Sequence, residues 1–144
     1  MIRFKLVKKD LIHRDVSNIE VRMSTNLSEI QKCIDLFNSE IKWEGMFDIK
    51  DAERRIILGD RIFIGYYKNQ IFGYCWLKMI SEGSFLYYNL FSKSEPNERN
   101  YGATDLLYLI IKKYTEGEIE SLIDDWNQKS IRVAEKLGFV RSHN

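Results

Sequence analysis

The chain is poor in the residues that cross-link small proteins or break them up. Of its 144 residues two are cysteine, Cys33 and Cys75, far apart, with no CxxC pair and no neighbouring histidine. That spacing argues against a disulfide framework and against a zinc site, so both thiols read as buried apolar groups and no metal is expected. Histidine is as scarce. His13 and His143 lie near the chain ends, which leaves triads built on a central imidazole base without support. The single proline, Pro96, forces few breaks, and no linker, repeat or low-complexity tract is visible. A charge excess is missing too: 22 Lys and Arg face 21 Asp and Glu, a formal net charge of +1. Nothing electrostatic therefore favours nucleic acid or an anionic membrane, and the pairs Lys8-Lys9 and Lys112-Lys113 read as solvated faces. Apolar runs such as Leu106 to Ile111 fall far short of the roughly 20 residues that span a bilayer. The alternating charges of Met1 to Lys9 do not suit a signal peptide, so a cytoplasmic protein is expected.

What is present suits one folded domain over residues 1–144, with 44% apolar and 13% aromatic residues. Ile2, Phe4 and Leu6 alternate with Arg3 and Lys5, and Ile19 to Met23 repeats the pattern, so two early strands are expected. Asn26 to Ile41 spaces Leu27, Ile30, Ile34 and Phe37 by threes and fours behind an N-cap at Ser24, Thr25 or Asn26, which predicts an amphipathic helix. Asp48 to Leu58 predicts a second, with Ala52, Ile56 and Ile57 inward and Gly59-Asp60 ending it. Three strands follow, Arg61 to Tyr67, Ile71 to Ile80 and Ser84 to Phe91, joined by turns short enough for antiparallel hairpins. The first two are apolar on both alternating sets, as in a central sheet covered on both faces. A helix from Gly102 to Tyr114, a strand from Glu118 to Asp124 and a helix from Asn127 to Leu137 complete the order β-β-α-α-β-β-β-α-β-α. The class is α/β, an α+β mixed sheet with meander and crossover parts.

Two places carry chemistry. At Arg99-Asn100-Tyr101-Gly102-Ala103-Thr104 a glycine heads a helix, where free N–H groups and the helix dipole favour an anion. Gly102 serves equally well as a plain turn residue. Neither GxGxxG nor GxxxxGK[ST] is present, so nicotinamide and nucleotide-triphosphate readings lose their support. The run from Asp124 to Phe139 supplies a strand end, an Asn cap at Asn127, a short helix and a glycine stop at Gly138.

Together these segments resemble the GNAT superfamily of acetyl-CoA-dependent N-acetyltransferases. Arg99-x-x-Gly102-x-Thr104 is similar to the family's Q/R-x-x-G-x-G/A motif. Asn127 followed by Glu135-Lys136-Leu137-Gly138-Phe139 is similar to its Asn before a helix closing in E-K-L-G-F. The likeness covers Arg61 to Phe139 by motif and Ile19 to Leu58 by topology. It implies a central, mostly antiparallel sheet flanked by helices, and direct attack of an amine, in a small molecule or a peptide, on the thioester of acetyl-CoA. It implies CoA contacts at Arg99, Asn100, Tyr101, Gly102, Ala103, Thr104 and Asn127. It further implies a pantetheine arm in a splay between the fourth and fifth core strands, lined by Asn89, Leu90 and Phe91, with the amide of Leu90 or Phe91 as oxyanion donor. Catalytic candidates are Asn127, Asp124 with its neighbour Asp125, Glu44 beside Trp43 and Phe47, and Tyr88, since only one of Tyr87 and Tyr88 can face the cleft.

Three departures stand out. The loop before Arg99 is long. The family's frequent catalytic tyrosine is Ala134 here, expected toward the cleft with Ser130 and Ile131. Only Val140 to Asn144 follow Phe139, too short for the usual closing pair of strands. The extra N-terminal strand is expected to cover the edge left open at Glu118 to Asp124, within the chain or across a homodimer. The alternative function is a protein of the same fold without catalysis, one that binds CoA, or nothing, and serves as a sensor or assembly component.

Overall fold

The computed structural model of the chain describes residues 1–40, 48–93 and 102–142. Glu44, Trp43, Phe47, Arg99, Asn100 and Tyr101 lie outside them. The elements run β1 (Ile2–Val7), a 3₁₀ turn (Lys8–Asp10), β2 (Glu20–Ser24), α1 (Leu27–Glu40), α2 (Ile49–Ile57), β3 (Arg61–Tyr67), β4 (Gln70–Ser81), β5 (Ser84–Ser92), α3 (Ala103–Tyr114), β6 (Glu118–Ile123), α4 (Gln128–Leu137) and β7 (Val140–Ser142).

The sheet order is β2-β3-β4-β5-β6-β1-β7. All pairings are antiparallel except β5 with β6. Apolar side chains on both faces of β3 and β4 divide between two cores. Ile62, Ile64, Tyr74 and Trp76 pack with Ile30, Cys33, Ile34 and Phe37 of α1 and Ala52 of α2. Phe63, Phe72, Cys75 and Leu77 pack with α3 and α4. The expectation of a sheet covered twice holds.

Local chemistry sets the helix ends. Asn26 Oδ1 accepts from the N–H groups of Ser28 and Glu29 at 2.9 and 3.2 Å, capping α1. Asp48 Oδ1 accepts from Asp51 N–H at 2.8 Å and caps α2. Two residues expected inward are outside: Leu27 in the first turn of α1 and Ile57, 83% exposed, at the end of α2. Both stand at a helix end, Leu27 as the first residue of α1 and Ile57 as the last of α2.

The C-terminus differs from expectation, because Val140–Ser142 does form a strand and pairs with Arg3 to Lys5 of β1. The strand needs no length of its own, since β1 already offers a free edge. The other closing strand is the N-terminal one: Ile2 to Val7 pair antiparallel with Ile123 to Glu118, burying Phe4 and Leu6. The edge of β6 is thus covered within one chain. From there the chain crosses the α3/α4 face to reach β2 at the far side, tied down where Ile12 N–H donates to Leu137 O at 3.0 Å. Gly138 lies under this crossing with φ +103°, and a Cβ there would meet Asp10 O at 2.9 Å. The glycine that closes E-K-L-G-F is required both by its left-handed backbone and by the close approach.

Candidate functional site

The parallel ladder between β5 and β6 is short. Ser84, Phe85 and Leu86 face Glu118, Ile119 and Glu120, and beyond Leu86 there is no further pair. The strands then part. Ser121 Oγ reaches over to donate to Tyr87 O at 3.2 Å, the last bridge before the gap. On its other side β5 slips against β4, where Tyr74 faces Phe91 but Trp76 faces Tyr88. The extra residue is accommodated by Asn89, in the left-handed region at φ +51°, a conformation that asparagine tolerates better than most residues. The bulge puts Leu90 on the α3/α4 face and Phe91 on the α1/α2 face, where Tyr88 already lies opposite Trp76. Tyr87 and Tyr88 indeed take opposite faces, Tyr87 buried against Phe139 and Tyr88 bordering the other core.

At the C-terminal end of this gap stands the first turn of α3. Gly102 is extended at φ −171°, and a Cβ there would meet nothing within 4 Å. Asp105, buried, accepts from the Gly102 N–H at 3.0 Å and is paired in turn with Arg14, whose Nη2 lies 2.9 Å from Asp105 Oδ1. The Gly102 amide is therefore committed, which narrows the expected anion cradle to the remaining first-turn N–H groups, those of Ala103, Thr104 and Asp105 among the described residues. The Arg14 guanidinium offsets the carboxylate that would otherwise oppose an anion at this helix end.

On the α2 side of the bulge lies a cluster that sequence reading missed. Tyr88 Oη donates to the carboxylate of Asp60, a residue buried to 7% exposure at the head of β3. Arg55 of α2 donates from Nη1 to Asn89 Oδ1 at 2.8 Å. Its guanidinium sits 5.0 Å from the Trp76 ring centre and 5.2 Å from that of Tyr88, and the two rings stack at 6.3 Å. Burial, the hydrogen bond to Asp60 and the carboxylate charge push the Tyr88 phenol well above its ordinary pKa. The available signal was an acid separated only by Arg61 from the apolar run Ile62 to Ile64 of β3. No sequence signal announces Arg14, whose contact with Asp105 spans 91 positions.

The helix after β6 gives mixed results. Asn127 caps α4, its Oδ1 accepting from Ser130 N–H at 3.2 Å, so its structural role is observed. Asp124 lies just beyond β6, half-buried, its carbonyl accepting from Asn127 N–H at 2.9 Å, and Asp125 is exposed. Ala134 does not face a cleft. It is fully buried in the core with Ile131 and Leu137. A shallow cavity of about 560 Å³ lined by Lys8, Phe85, Lys113 and Thr115 lies at the opposite, closed end of the β5–β6 pair, away from this chemistry.

Among the described residues the sheet has one parallel pair, which ends at Leu86, and the fold as a whole matches solved structures. The chain has the GNAT fold. It is similar to an aminoglycoside acetyltransferase from an uncultured soil metagenomic sample solved with sisomicin, at 14% identity and TM-score 0.62, over 84% of this chain and 88% of that one. It is similar to yncA, a putative acetyltransferase from Salmonella typhimurium solved with its cofactor acetyl-CoA, at 16% identity and TM-score 0.58, over 85% and 79%. A conserved protein of unknown function from Staphylococcus epidermidis matches 98% of this chain at 12% identity and TM-score 0.65, and the chain spans 57% of that protein's length. No family model and no curated protein matches the sequence. Among the described residues no helix is long and apolar enough to cross a membrane.

Proposed function

We propose that this GNAT-fold chain is an N-acyltransferase that uses acetyl-CoA and acetylates an amine, in a small molecule or a peptide, by direct attack. The observation that supports it most is the gap past Leu86, with the Asn89 bulge on one side and the first turn of α3 at its end. Acetyl-CoA would supply an activated thioester. The chain's part is to bind and orient. The N–H groups of Ala103, Thr104 and Asp105 receive pyrophosphate charge at the helix end, and Arg99, Asn100, Tyr101 and Gly102 are the further CoA contacts that the motif implies. Asn89, Leu90 and Phe91 line the arm, and an amide of Leu90 or Phe91 polarises the carbonyl. Asn127 adds a contact from the cap of α4, and Tyr88, Asp124 and Glu44 are the groups to examine for proton transfer. The aminoglycoside acetyltransferase with the same fold agrees with an amine acceptor, and the acetyl-CoA complex agrees with the cosubstrate.

Calorimetry with acetyl-CoA and desulfo-CoA, followed by a thiol-release assay over an amine panel, tests this reading. Binding with amine-dependent thiol release is expected. The burial of Ala134 favours one alternative, a CoA-binding protein without catalysis, for which binding without thiol release is expected. Absence of CoA binding overturns both.

A further inference from the structure

Resting on the transferase reading, we propose that Arg55 is a positioning residue for the acetyl-CoA arm: from α2 it holds the Asn89 bulge of β5, and through the bulge the strand that lines the gap. Between the pair of Trp76 with Tyr88 and that of Tyr74 with Phe91, β5 sets Asn89 and Leu90 against Cys75 of β4 alone. In a straight strand, alternation would carry the Asn89 side chain to the face opposite Tyr88, the α3/α4 face, out of reach of α2. In the structure it lies on the α2 side, where Arg55 Nη1 donates to Asn89 Oδ1 at 2.8 Å. The bond therefore belongs to the bulged strand and not to the straight one. Arg55 meets Asn89 already oriented, because its guanidinium lies over the Trp76 and Tyr88 rings at 5.0 and 5.2 Å.

Burial by itself does not select the bulge. Leu90 and Phe91 are adjacent and both apolar, and an apolar core lies on each side of the sheet. Either register buries one of the two on each face, so the hydrophobic pattern that ordinarily fixes register does not choose between them. The choice falls on Asn89, which holds φ +51° in the bulged strand, a region that an asparagine enters with some strain and a glycine with none. Past the bulge β5 is bound closely to β4: Lys93 N–H donates to Phe72 O at 2.7 Å, and a Cβ on Gly73 would meet Phe91 O at 2.5 Å. The parallel ladder to β6 has by then ended, at Leu86. Successive amides on a strand point to opposite neighbours, so a straight β5 would slide Leu90 and Phe91 by one place and exchange the directions of their N–H groups.

The test is calorimetric, on wild type and Arg55→Ala, each with Asn89 intact and with Asn89→Gly. Two probes are used: desulfo-CoA, which carries the arm, and 3′-phospho-ADP, which carries the pyrophosphate without it. Expected is a loss of desulfo-CoA affinity of about tenfold from Arg55→Ala with Asn89 intact, and of less than about twofold with Asn89→Gly, whose backbone takes the left-handed region unaided. Affinity for the nucleotide without the arm should not move in Arg55→Ala, since that probe ends at the first turn of α3. No loss, equal losses in both backgrounds, or equal losses for both probes would overturn the proposal and leave the transferase reading standing. Should Arg55→Ala not fold, Arg55→Met, whose thioether packs on the two rings but donates nothing, is judged by the same criteria. A wild type that binds both probes but releases no thiol overturns the transferase reading alone, because the contrast between the probes decides the role of Arg55 without turnover. A wild type that binds neither probe overturns both.

Discussion

Arg14 places Nε and Nη2 at 3.0 and 2.9 Å from a single oxygen of Asp105, and the other oxygen of that carboxylate takes the Gly102 N–H. An arginine from the N-terminal crossing segment thus neutralises an acid seated in the first turn of α3. Arg14→Ala should leave that charge uncompensated at the anion end of the helix. The exposed part of the pair limits its stabilising share to about 1 kcal/mol, but desulfo-CoA affinity should fall by about tenfold, or ~1.4 kcal/mol. Adding Asp105→Asn to Arg14→Ala should restore most of the affinity in calorimetry, and no recovery would show that Arg14 acts otherwise.

Gly102→Val offers a clean probe of the same turn. A Cβ at Gly102 meets nothing and its backbone is extended, so thermal stability should hold. Binding of desulfo-CoA should nevertheless weaken by at least about tenfold, because branched methyls would stand where the pyrophosphate approaches. Unchanged affinity in a folded variant would place the anion site elsewhere.

Ala134→Tyr should not create an acid at the cleft. Ala134 has 0% exposure in the core shared by α3, α4 and β1, and overpacking such a site costs about 1–3 kcal/mol or more. A lowered Tm with no gain in thiol release is the expected result. A stable, faster variant would mean that α4 can turn this face outward.

Removing Met1 to Asp10 takes away β1, and with it Phe4, Leu6 and the partner of both β6 and β7. Even Phe4→Ala alone should cost about 3–5 kcal/mol. Chemical denaturation should show that loss, and the truncated chain should aggregate through the bared β6 edge. A truncated chain as stable as the parent would contradict the pairing.

Neither cysteine should interfere with thiol-release assays. Burial pushes the Cys33 thiol up to about 12 and Cys75 higher still, and it is the thiolate that reacts. Native protein should therefore react slowly with a disulfide reagent and release both equivalents only on unfolding. Rapid native labelling of one thiol would show that its core opens readily.

Much of this protein is legible in one dimension because its signals are local. Apolar spacing in Ile30, Ile34 and Phe37, alternation through β3 and β4, and the caps at Asn26, Asp48 and Asn127 depend on neighbours within a turn or a pleat, so element order and both sheet faces follow from the residues themselves. The short motif at Gly102 and the E-K-L-G-F run marked the two helices that frame the gap. Tertiary structure decided the rest. That β1 inserts between β6 and β7 depends on which edge was free, a matter of register between segments more than a hundred residues apart. The segment that follows β1 brought Arg14 to Asp105. Asp60 met Tyr88 only because β3, β4 and β5 align, with Trp76 of β4 between them. Such contacts join residues whose local sequence carries no mark of each other, since burial and charge pairing are properties of packed surfaces and exist only once the sheet has formed.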